Sequence, residues 1–85
     1  MTEILAVFRS RSQAMDCYTK MRAYNIPSTL INTPMEAGVG CGLSVKFPNS
    51  AATYAKKLIA RLNYSSFYGY LKLDDRRGNI NVKRY

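Results

Sequence analysis

Eighty-five residues, 47% of them apolar and 21% charged, predict one small globular domain. Thirteen Lys+Arg against five Asp+Glu give a formal charge of +8, which suits acidic partners. With no His in the chain, His-based acid/base catalysis, Cys-His dyads and Ser-His-Asp triads are excluded, and two cysteines alone cannot build a four-ligand zinc site.

Ile4-Leu5-Ala6-Val7-Phe8 is a continuous apolar run of strand length, the pattern of a central strand. Arg9-Ser10-Arg11-Ser12 follows, with Ser10 or Ser12 as helix N-cap. From Gln13 to Tyr24, residues Ala14, Cys17, Tyr18, Met21 and Tyr24 recur at helical spacing. Asn25-Ile26-Pro27 ends that helix, because the residue before proline avoids helical geometry. Ser28 to Thr33 is β-prone, and Pro34 to Gly42, with Gly38, Gly40 and Gly42, is a loop. Leu43-Ser44-Val45-Lys46-Phe47 alternates as a strand.

Pro48-Asn49-Ser50 stops that strand and starts a second helix, whose stripe is Ala51, Ala55, Leu58, Ile59 and Leu62. Phe67, Gly69, Leu71 and Leu73 alternate with Tyr68, Tyr70 and Lys72 in a fourth strand. This alternation puts Tyr68 and Tyr70 together on the open sheet face with Lys46 and Lys72. Asp74 to Asn79 reads as a polar turn, and Ile80 and Val82 fit either a short edge strand or a loose tail.

The order β-α-β-β-α-β, with two one-striped helices, predicts an α+β ferredoxin-like sandwich: a four-stranded antiparallel sheet with two helices on one face. Residues 1–73 form this domain, and residues 74–85 a basic C-terminal extension. No apolar stretch is long enough to span a membrane and the start does not read as a signal peptide, so the expected location is cytoplasmic. Of the five carboxylates only Asp74 and Asp75 are close in sequence, which gives paired-carboxylate hydrolysis little support. No metal or cofactor is expected.

The two cysteines read differently. Cys17 lies on the packed stripe of the first helix, as a small apolar filler. Cys41 lies among glycines, in a loop that the topology carries to the same edge as the turns at Arg9–Ser12 and Asn63–Ser66. A helix N-terminus carries a partial positive charge, Arg9 and Arg11 add full ones, and Ser10 stands at that turn. Gly38, Gly40 and Gly42 permit backbone N–H groups to approach an anion. Such surroundings favour a thiolate, although a bound phosphate would suit the same pattern. No Gly-Lys-Ser/Thr follows, so the loop is not a P-loop.

Ile4 to Leu73 resembles the selenium/sulfur carrier-like family of small bacterial domains. The resemblance rests on Val7-Phe8-Arg9-Ser10, Tyr24-Asn25-Ile26-Pro27, Thr33-Pro34, Cys41-Gly42-Leu43-Ser44-Val45 and Phe47-Pro48. It implies that Cys41 bears the sulfur or selenium as a persulfide, received from a donor protein and passed to an acceptor. It also implies a carrier rather than an enzyme with its own turnover. A nucleic-acid-binding module using Lys/Arg with Tyr68 and Tyr70 is the alternative. A structural homodimer is a third reading.

Overall fold

The structure, a computed structural model, describes residues 2–34, 42–76 and 79–84, with side chains through residue 73. Cys41, Gly38 and Gly40 lie outside the described residues. In chain order the elements are β1 (Thr2–Phe8), α1 (Arg11–Ala23), β2 (Thr29–Asn32), β3 (Leu43–Pro48), α2 (Ala52–Leu62, led in by a 3-10 turn at Asn49–Ala51), β4 (Phe67–Arg76) and β5 (Asn79–Arg84). The sheet order is β2-β3-β1-β4-β5, every pair antiparallel. The first four strands and two helices make a ferredoxin-like α+β fold. β5 adds a fifth strand beside β4, so the sheet is wider than the four strands expected.

β1 is central, between β3 and β4, which explains its unbroken apolarity. Ile4, Ala6 and Phe8 face the helices and pack with Cys17 and Met21 of α1, Val45 and Phe47 of β3, and Ala55 and Ile59 of α2. Leu5 and Val7 face the other way and are equally buried, with Leu71 and the half-buried Ile31, Tyr68 and Leu73. Each large apolar side chain taken out of water contributes about 1.5–3 kcal/mol, and β1 does so on both faces.

α1 begins at Arg11, two residues before the expected Gln13, because Ser10 caps it: the Ser10 side chain accepts from the Gln13 N–H. The helix also stops earlier than proline alone requires. Asn25 adopts a left-handed conformation (φ 61°), its N–H donates to the Arg22 carbonyl, and the Ile26 N–H donates to the Met21 carbonyl. This is a Schellman closure, and the buried Ile26 and Met21 supply its apolar contact.

β4 departs from the expected alternation. Val7 pairs with Gly69 and Phe8 with Phe67, so Tyr68 is an extra residue in a β-bulge. One extra residue reverses the faces of everything beyond it. Tyr70 lies on the helix side, its ring 4.9 Å from that of Phe67. Lys72, opposite Ile4, follows it there. Leu71 and Leu73 pass to the other face with Tyr68. The expected pairing of Tyr68 and Tyr70 on one open face is therefore incorrect. Gly69 accommodates the bulge at φ 152°, a conformation that side-chain-bearing residues rarely adopt. The strand also continues through Asp74 and Asp75 to Arg76, where a polar turn was expected.

Candidate functional site

The edge formed by the C-terminal end of β1, the N-terminus of α1, the flanks of the 35–41 segment and the turn before β4 is tied together by short polar contacts. The Arg9 N–H donates to the Ser66 carbonyl at 3.0 Å. Gln13, in the first turn of α1, accepts from the Ser66 N–H at 2.9 Å and the Ser66 hydroxyl at 2.6 Å, and donates to Ser65 Oγ at 2.9 Å. Three separate stretches of chain are thereby fixed to one another. Gln13 was not singled out from the sequence. The available signal was the Ser10-Arg11-Ser12-Gln13 spacing of a capping box. Here Ser10 performs its half of that motif, while the Gln13 side chain is spent on Ser65 and Ser66.

Across the sheet from this clamp, the Thr33 N–H donates to the Gly42 carbonyl at 3.1 Å, which closes the base of the segment holding Cys41. Beneath it, the Thr33 and Ser44 hydroxyls share a buried 2.6 Å hydrogen bond. Gly42 is buried against β1: a Cβ at this position would lie 2.9 Å from the Phe8 carbonyl oxygen and 3.0 Å from Thr33 Oγ1. Gly42 is thus required by close approach of two backbones. The glycine that follows Cys41 is a packing element at the end of the central strand.

Arg9, Ser10, Arg11 and Gly42 all lie at this edge, but not as one cluster. The Arg9 guanidinium lies over the Tyr68 ring, 5.1 Å from its centroid, on the sheet face away from the helices. Ser10 is engaged as the cap, its hydroxyl also 3.0 Å from that of Ser12. Arg11 is exposed in the first turn of α1. The positive end of α1 and the Arg9 side chain therefore border the edge from opposite faces of the sheet.

Cys17 is fully buried among the helix-facing core residues, and burial, with a smaller contribution from Asp16, pushes its thiol up to about 12. It is a thiol at physiological pH and out of reach of reagents. Among the described residues, no group of three His, Cys, Asp or Glu side chains stands together to hold a metal ion. No described helix is long and apolar enough to cross a membrane.

Comparison with known protein families adds the deciding observation: the model of a family described as Putative Se/S carrier protein-like matches residues 3–68. The chain belongs to that family. Within this Se/S carrier-like chain the matched span takes in both helices, β1 from Glu3 onward, β2, β3 and the first two residues of β4, and so covers the whole edge just described. No curated protein and no solved structure matches it.

Proposed function

We propose that the protein is a small cytoplasmic carrier that holds a sulfur or selenium atom on Cys41 as a persulfide or its selenium analogue. The observation that carries this reading is family membership across residues 3–68, a span that includes Cys41-Gly42. The geometry around the described flanks supports it. Gly42, the covalent neighbour of Cys41, is held between Thr33 and the Phe8 carbonyl, one residue from Arg9 and two from the Ser10 cap. The first turn of α1 brings partial positive charge to the same edge, which favours a thiolate over a thiol.

The step needs little machinery. The Cys41 thiolate attacks the outer sulfur of a donor persulfide, the donor's S–S bond breaks, and the donor leaves as a thiolate. A nucleophile on an acceptor then takes the outer atom and Cys41 returns to a thiolate. No net oxidation occurs, and no general acid is required at pH 7, consistent with a chain that lacks His. Donor and acceptor are other proteins, and the protein has no turnover of its own.

The test is peptide-mapped mass spectrometry after incubating the reduced protein with glutathione persulfide. The mass of one sulfur atom should appear on Cys41 and not on Cys17, and iodoacetamide should label Cys41 first in the folded state. Equal, slow labelling of both cysteines, or no sulfur on Cys41, refutes the carrier reading. A Cys41→Ser variant should lose the adduct while keeping stability within about 1 kcal/mol.

A further inference from the structure

The closing turn of α1 and the length of α2, from Ser50 in its lead-in to Arg61 in its last turn, border an open groove of about 530 Å³. Its α1 wall lies the length of that helix, about 20 Å, from the helix N-terminus at the Gly42 edge. The buried Ile26 and Leu58 line the groove with Pro27, and Tyr24 and Tyr54 flank it. These tyrosines are 62% and 70% exposed, far more than an aromatic ring ordinarily is in a small domain. Tyr54, Lys57, Leu58 and Arg61 follow one another at i, i+3, i+4 and i+7 and so form a single stripe of α2. Lys57 and Arg61 are one helical turn apart on that stripe. α2 contains no acidic residue. The two described carboxylates, Asp16 and Glu3, are paired with Lys20 and Lys46, away from the groove. The opposite wall is rigid: the Schellman closure holds Asn25 and Ile26, and Pro27 has a fixed φ.

We propose that this groove binds a small ligand with a flat aromatic ring and a phosphate monoester, the chemistry of a nucleoside monophosphate. The two tyrosines offer faces for the ring, and the adjacent Lys57 and Arg61 supply the charge that a phosphate dianion needs. The volume falls in the range of small-ligand sites, and the preset wall reduces the ordering cost of binding. The inference does not rest on persulfide chemistry at Cys41.

The test is an NMR titration of the 15N-labelled full chain with AMP. Saturable shifts confined to residues 24–27 and 50–61, with a Kd below about 1 mM, are expected. Adenosine alone and inorganic phosphate alone should each bind at least about tenfold more weakly. Tyr54→Ala, and Lys57→Glu with Arg61→Glu, alter exposed side chains; each should weaken AMP binding at least about tenfold with an unchanged circular dichroism spectrum. Three results would overturn the proposal: no shifts at about 10 mM AMP, equal shifts with inorganic phosphate across the basic surface, or tighter binding of a poly-glutamate peptide to the same residues.

Discussion

At Gly42 the identity of one residue is set by an atom contributed by another strand. A methyl group there would lie 2.9 Å from the Phe8 carbonyl, and backbone cannot yield as a flexible side chain can. Gly42→Ala should therefore destabilise the fold by about 1–3 kcal/mol in urea denaturation, and an unchanged midpoint would mean that the β1–β3 approach relaxes without strain. Thr33 and Ser44 make a related case: Thr33→Val leaves the Ser44 hydroxyl buried without its partner, at a cost of about 1–3 kcal/mol. Cys17 gives a residue-scale pH effect. The folded state holds its thiol proton up to about 12, whereas the unfolded thiol releases it near the ordinary value of about 8.5. The unfolded chain binds fewer protons across that window, so stability falls as pH rises through it. Cys17→Ala should flatten this alkaline decline in a pH series of denaturation midpoints.

At the scale of elements, the bulge in β4 matters most. Alternation is a reliable guide only while the ladder keeps one residue opposite one, and at Tyr68 it does not. The visible sign was Gly69 in an otherwise aromatic strand, a position where glycine often marks a bulge. Because Gly69 has a φ of 152° and open space around its Cβ position, Gly69→Ala should cost about 1–3 kcal/mol through backbone strain alone. A neutral effect in thermal melts would show that the bulge is not held in that conformation. The bulge also separates Tyr68, beneath Arg9, from Tyr70, whose ring lies 5.1 Å from Lys56 Nζ on the helix side. A two-tyrosine stacking surface for nucleic-acid bases is thereby lost. The helix ends were more legible. Ser10 and Asn25 are residue types that favour a cap and a left-handed closure, and each does what its local chemistry prefers.

For the whole molecule, α1 is linked to the turn between α2 and β4 by a long-range polar contact as well as through the core. Tyr64 donates to Asp16 at 2.6 Å, and Lys20 reaches the same carboxylate at 2.9 Å. These two bonds, Lys20 first, hold the Asp16 carboxyl below its ordinary range. The stability it lends is present above about pH 3.9 and is lost as pH falls through the lowered folded value. The site is exposed, so the effect should shrink with salt. β5 completes the sheet through a ladder from Leu71↔Arg84 to Arg76↔Asn79, and β4 would be an edge without it. Deleting residues 77–85 should preserve the ferredoxin-like core, lower the melting temperature and promote concentration-dependent self-association in ultracentrifugation. A strictly monomeric, equally stable truncation would show that β5 does not protect that edge.

The sequence alone determined the order of the first four strands and two helices, the central position of β1, the burial of Cys17 and the fold class, because these depend on local periodicity and on apolar residues leaving water. Family resemblance in Cys41-Gly42 and its flanks was legible for the same reason: it resides in short contiguous stretches. Tertiary structure decided why Gly42 must be glycine, why Gln13 ties the start of α1 to the turn before β4, and which face Tyr70 occupies. Those outcomes depend on atoms distant in sequence brought within bonding distance, and on one unpaired residue that reverses a strand's faces.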